Sequence, residues 1–247
     1  MKRNSILFLA LFSLFAANAQ WKPQGDKIKT KWAEQVDVKK PLPEYPRPIM
    51  ERSQWKNLNG LWNYAIQEAG KAATSKYDGQ ILVPFAAESS LSGVMKEVGS
   101  KNELWYETSF SVESGWNGKN ILLHFGAVDW KTEVFINDIK VGSHTGGYTP
   151  FSFDITPFLK KGSAQKLVVK VWDPSNDGPQ PRGKQVKNPE GIWYTPVTGI
   201  WQTVWIEPVN AKNITSLHTT PNIDQNTISI KTDKNGAEKD DLVAISV

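Results

Sequence analysis

Residues 187–205 read KNPEGIWYTPVTGIWQTVW, three tryptophans and a tyrosine set among Pro, Gly, Asn, Glu and Lys. Flat rings beside such polar groups suit carbohydrate, because sugars offer C–H faces that pack on Trp and Tyr and hydroxyls that need polar partners. The residues just upstream, DPSNDGPQPRGKQVKNPEGIW (173–193), form a long turn-rich stretch, and loops of that length inside a compact domain are usually functional or disordered. Arg182, Lys184, Asn188, Glu190, Trp193 and Tyr194 are therefore candidate sugar contacts. Other chemistry finds little support. His124, His144 and His218 lie far apart without ligand spacing and read as half-exposed sheet residues, so no metal is expected. There is no phosphate loop, no Gly-x-Ser-x-Gly elbow and no cysteine nucleophile. The carboxylates are scattered apart from Glu238, Asp240 and Asp241, which read as a solvated turn. No catalytic residue and no cofactor is assigned.

The tryptophans also have a structural reading. Burying one ring removes roughly 150–250 Å² from water, about 4–6 kcal/mol as an upper bound, and a chain without disulfides depends on such burial. Along IWQTVWIE, alternation puts Ile200, Val204 and Ile206 on one face and Trp201, Thr203 and Trp205 on the other. With large apolar groups on both faces, this strand is expected to be covered on each side, by the opposing sheet and by a neighbouring domain. Trp201 and Trp205 read as core or interface, whereas Trp193 and Tyr194, in loop-like sequence, remain open to either reading.

These groups must be positioned by β-structure. Runs rich in aromatic and β-branched residues recur at 60–67, 81–85, 104–112, 120–126, 133–138, 139–144, 166–173 and 200–208, and helical periodicity is lacking. The expected class is all-β, an antiparallel sandwich or jelly roll. In EVFIND-IKVG, Asn137-Asp138 can take the positive φ of a tight hairpin turn. One helical turn is expected near Thr156, with Thr156 as cap, Pro157 at its first position and Gly162 as its end. Residues 20–50 are proline-rich and read as an extended arm, and 51–210 as the jelly roll. After Pro208 the tryptophans stop. Residues 211–247 look like the first strands of a second β domain, incomplete at an apolar strand, which suggests an N-terminal fragment of a longer protein.

The chain opens with MKRNS, an apolar run too short to span a bilayer, and Ala17-Asn18-Ala19, the pattern of a secretory signal peptide over 1–19. A secreted or periplasmic protein with no membrane attachment after cleavage is expected. Removing the leader leaves 27 basic and 25 acidic residues, interspersed, so nucleic acid is not an expected partner.

The blocks PRPIMERSQWKNLNGLWNYAI (46–66), VPFAAESSLSGV (83–94), ELWYETSFSV (103–112), LLHFGAVDWKTEVFINDIKVGSHTGGYTPFSFDIT (122–156), RGKQ (182–185) and GIWYTPVTGIWQTVWIEPV (191–209) resemble the N-terminal sugar-binding domain of glycoside hydrolase family 2. That family includes β-galactosidases, β-glucuronidases and β-mannosidases. The resemblance implies a galactose-binding-like jelly roll, then an immunoglobulin-like sandwich, here truncated, then a catalytic barrel that this chain lacks. The two catalytic glutamates of the family belong to that barrel and act by retaining hydrolysis, so none falls within this chain. Relatives often carry an acidic residue six positions before the motif that here is Gly199-Ile200-Trp201. This sequence has Trp193 there, and its nearest acid is Glu190. Glu107 falls near a second family contact position, though alternation equally makes it a solvent-facing strand residue.

The resemblance implies the N-terminal part of an exported, exo-acting, β-galactosidase-like glycosidase without organic cofactor, its partners a terminal β-linked sugar and the missing barrel. The alternative is a free-standing carbohydrate-binding module or lectin. An interaction domain whose aromatic face only docks other domains is a third class.

Overall fold

The computed structural model describes residues 21–162 and 164–244; the expected leader lies outside them. In chain order the strands are β1 (Lys56–Asn57), β2 (Gly60–Glu68), β3 (Gly79–Val83), β4 (Asn102–Phe110), β5 (Asn120–Phe125), β6 (Val128–Asp129), β7 (Lys131–Ile136), β8 (Ile139–Thr145), β9 (Phe151–Asp154), β10 (Gln165–Trp172), β11 (Gly199–Ile200), β12 (Val204–Val209), β13 (Asn213–Asn222) and β14 (Thr227–Asn235). A six-stranded sheet, β3-β2-β4-β10-β7-β8, packs against a four-stranded one, β1-β12-β5-β9. The short pair β6–β11 sets Gly199 opposite Asp129 and Ile200 opposite Val128. The pairings between these strands are antiparallel, as in a sandwich of short alternating strands.

Side-chain period explains the layering. Along β10, Leu167, Val169 and Val171 turn into the core while Lys166 and Lys170 stay partly exposed. Trp62, Leu104, Tyr106, Val134 and Ile136 of the larger sheet meet Ile121, Leu123, Phe125, Val204 and Ile206 of the smaller one, all buried. On the outer face a small cluster of Ala65, Trp105 and Val168 is covered by Tyr77 and Phe135. The hairpin between β7 and β8 turns at Asn137 and Asp138, with φ of 52° and 71°. Asn137 also donates from Nδ2 to Phe158 O and Gln165 Oε1, both at 2.8 Å.

Several expectations need correction. The run over 200–208 is two strands, because Trp201 N and Gln202 N both turn to Ala127 O instead of continuing the ladder. The helical turn is a 3-10 turn, Thr156–Phe158, capped neither by a side chain nor by Gly162; Thr156 Oγ1 instead accepts from Ile121 N at 2.7 Å. The segments Lys56–Asn57, Val128–Asp129 and Phe151–Asp154 carry too few alternating residues to register as strands alone, yet pair in the sheets. Beyond Val209, β13 and β14 pair only with each other among the described residues. Residues 242–244 of the third expected strand are not extended into a ladder, and 245–247 lie outside the described residues.

His124 departs most from a half-exposed sheet residue. It is buried, stacked on Trp205 with centroids 4.7 Å apart, and its Nε2 lies 3.0 Å from Glu207 Oε1. Trp205 is covered by this chain's own arm: Tyr45 meets it edge-on and donates to Glu207 Oε2 at 2.8 Å. Arg47 Nη2 and Arg52 Nε donate to Glu207 Oε1 at 2.6 and 3.1 Å, and Arg52 Nη2 reaches Ile214 O of β13 at 2.7 Å. One buried carboxylate thus joins arm, sheet and hairpin.

Burial raises the Glu207 pKa, but the His124 contact, Arg47 and Tyr45 outweigh it and hold the carboxyl at about 2. Burial also lowers His124 despite the pull of Glu207, so the imidazole is neutral at pH 7 and the guanidiniums supply the positive charge. A depressed carboxyl contributes stability above its unfolded value, about 4.5, and loses it as pH falls toward about 2. Replacing Glu207 by Ala leaves two guanidiniums without their anion and should cost roughly 3–5 kcal/mol. Urea unfolding at pH 7 checks this, and the deficit should shrink as the pH is lowered through that window.

Candidate functional site

The loop between β10 and β11 carries all but one of the candidate sugar contacts, and its base is held by buried carboxylates. Asp173, at the end of β10, accepts from Ser175 N at 2.7 Å and from Thr198 Oγ1 at 2.9 Å. Glu88 Oε2 accepts from Thr198 N at 2.9 Å. Thr198 thereby secures the far end of the loop by both main chain and side chain. The next residue, Gly199, takes φ +94° and passes so close to Tyr106 that an added Cβ would lie 2.0 Å from the phenol oxygen, which accepts from Ile200 N at 3.2 Å.

Gln185 holds the middle of the loop. Its Nε2 donates to Asp129 Oδ2 at 3.1 Å and to Tyr148 Oη at 3.2 Å, and its Oε1 accepts from Val197 N at 2.6 Å. On either side of it, Tyr194 N donates to Lys184 O and Val186 N to Tyr194 O, each at 2.9 Å, so the RGKQ stretch and the WYT stretch lie side by side. Arg182 is spent partly on the loop itself, donating from Nη1 to Asn176 O at 3.2 Å. At the tip, Gly191 takes φ +56° and Trp193 N closes a turn onto Glu190 O at 3.0 Å.

Burial pushes the Glu88 carboxyl up to about 7; the Thr198 hydrogen bonds pull against it and the Asp173 charge adds to it. Burial likewise pushes Asp129 up to about 7, opposed by Gln185 and assisted by Asp173. Asp173 is raised by its own burial against three hydrogen bonds from Ser175 and Thr198. Beyond this anchored base, Tyr148, Ile192, Trp193 and Tyr194 are 50, 65, 43 and 66% exposed. Lys184, Asn188 and Glu190 are exposed around them and Arg182 is half-buried.

The structure thus gathers Arg182, Lys184, Asn188, Glu190, Trp193 and Tyr194 on one loop and leaves Glu107 elsewhere. Glu107 lies on the outer face of the six-stranded sheet, opposite Asn63 and Val168, where its Oε2 accepts from Tyr77 Oη at 2.8 Å. Neighbouring strand residues face opposite ways, and it is Tyr106 that points inward to Ile200. The anchors Glu88, Asp129, Tyr148, Asp173, Gln185 and Thr198 were missed as site residues. Glu88, Asp129, Tyr148, Gln185 and Thr198 all stand within the blocks that resemble the family, which was the available signal. Among the described residues, no cluster of three or more His, Cys, Asp or Glu could hold a metal ion.

A family model described as "Glycosyl hydrolases family 2, sugar binding domain" matches residues 94–206. The chain carries a glycosyl hydrolase family 2 sugar-binding domain. It is similar to a β-galactosidase of Thermoanaerobacter pseudethanolicus, 29% identical over 168 residues, which covers 66% of this chain and 22% of that protein. A β-glucuronidase of Paenibacillus borealis is 26% identical over 158 residues, 60% of this chain and 26% of that protein. Among solved structures, a Lactobacillus rhamnosus β-glucuronidase superposes with a TM-score of 0.60 at 25% identity, over 78% of this chain and 35% of that one. The chain spans about a fifth to a quarter of the length of these two curated relatives. The loop from 174 to 198 lies within the matched region, so it is part of the sugar-binding domain itself.

Two outcomes follow from the anchoring. Gln185→Ala leaves Val197 N–H and Asp129 short of a partner, about 1–3 kcal/mol per unsatisfied group; amide exchange at Val197 should accelerate while β4 and β10 keep their protection. Gly199→Ala should lower stability by at least roughly 1–3 kcal/mol, from the positive φ together with the Tyr106 contact, as read by urea unfolding.

Proposed function

We propose that this chain is the sugar-binding and scaffolding part of an exported exo-β-glycosidase, β-galactosidase-like, that hydrolyses terminal β-linked sugars with retention. The observation that carries the reading is the loop tip: Trp193 and Tyr194 are exposed on a loop whose base is fixed by buried hydrogen bonds, with Lys184, Asn188 and Glu190 around them. Exposed rings with adjacent polar groups on a hydrogen-bonded support suit the flat face and hydroxyl rim of a sugar. The printed names of the relatives, β-galactosidase and β-glucuronidase, support a β-glycoside as the substrate class. Residues 211–247, with β13 and β14, would open the following immunoglobulin-like sandwich, and the hydrolytic glutamates would belong to a barrel. The leader sequence supports secretion or a periplasmic location.

A free-standing lectin is the second reading, favoured by an exposed aromatic loop that needs no further domain in order to stack on a sugar. Reading the coding frame past the Val247 codon separates the two. A barrel with two strand-end glutamates supports the glycosidase, and an immediate stop codon removes the enzyme reading for this polypeptide in favour of a lectin or a degenerate gene. The sugar contact is tested on a glycan array with the 247-residue chain. Trp193→Ala should weaken retention of terminal β-linked glycans by about tenfold, the equivalent of roughly 1.4 kcal/mol. Unchanged binding would place the sugar elsewhere.

A further inference from the structure

We infer that the loop over 174–198 is held against the sandwich by a proton-dependent anchor formed by Glu88, Asp129 and Asp173. The inference stands on geometry and does not depend on what the loop binds. All three carboxylates are buried, at 5, 3 and 2% exposure. Each takes its hydrogen bonds from the loop or its ends: Thr198 N to Glu88, Gln185 Nε2 to Asp129, and Ser175 N and Thr198 Oγ1 to Asp173. Among the described residues none of the three forms an ion pair. Thr198 joins Glu88 and Asp173 directly, so these two acids share one donor residue.

The surrounding titratable groups do not supply the missing positive charge. Lys27 of the arm reaches Glu88 only at its main-chain oxygen, 3.4 Å away. From β4, Tyr106 faces Glu88 as a phenol that burial keeps protonated. From the segment after β8, Tyr148 shares Gln185 with Asp129, and Gly147 lies directly against the Asp129 carboxyl. Glu88 Oε1 is buried with no hydrogen-bond partner. This contrasts with Glu207, whose burial is matched by two guanidiniums.

A buried carboxylate without a cation prefers to be protonated, and water reached by opening the loop lets it ionise. The closed loop therefore binds protons more tightly than the open one. Closure is strongest below the ordinary carboxylate range and weakens as pH rises toward about 7, the value to which Glu88 and Asp129 are pushed. Amide hydrogen exchange at Val197 and Thr198, corrected for intrinsic exchange, should show the opening equilibrium rising by tenfold or more between pH 5 and pH 8. Core amides of β4 and β10 should change less. In E88Q and D129N, which keep an acceptor and remove a charge, the dependence should flatten. A pH-independent opening in the wild type, or an unaltered profile in both variants, overturns the inference. Carboxyl 13C NMR titration of the wild-type chain is a second measurement that requires no variant to fold: Glu88 and Asp129 titrating at ordinary carboxylate values would also overturn it.

Discussion

The loop that carries the exposed rings is fixed to the sandwich through Thr198. Its amide is held by Glu88, its hydroxyl by Asp173, and the residue after it must be glycine to pass Tyr106. A loop of more than twenty residues has many conformations to lose, and a few buried hydrogen bonds at its two ends and its middle restrict them. The tip can then expose large rings without those rings having to stabilise the loop themselves.

Buried acid is handled differently in two places. At Glu207 the carboxylate is fully charged, with Arg47, Arg52 and Tyr45 around it, and this contact unites arm, sheet and hairpin. Under the loop, Glu88, Asp129 and Asp173 meet only neutral donors among the described residues. Charge-assisted contacts in low dielectric are strong and expensive to break, whereas neutral donors against buried acids leave a desolvation cost uncompensated. The first arrangement makes a fixed joint, and the second makes an attachment that depends on proton concentration.

The aromatic residues also divide along physical lines. Trp62 and Trp205 lie inside because strand alternation directs them into cover, Trp62 in the core between the sheets and Trp205 under Tyr45 of the arm. Trp193 and Tyr194 follow a glycine turn, and Tyr194 makes only an isolated bridge with Gln185, so no alternation carries them inward. Ring type alone does not separate the two groups; position relative to the ladders does.

The sequence by itself determined the all-β class, most of the long strands, the Asn137-Asp138 turn and the loop that collects Arg182 to Tyr194, because these rest on local periodicity and turn chemistry. It also carried the family resemblance, which the match over 94–206 supports. Only the tertiary structure decided that His124 is buried, that the arm rather than another domain covers Trp205, and that Glu107 stands on a different face from the loop. The same holds for the anchor set, where Glu88, Asp129, Gln185 and Thr198 are brought together from segments as far as 110 residues apart. Such contacts come from chain crossings between sheets, and local patterns carry no information about which distant carboxyl a buried amide will meet.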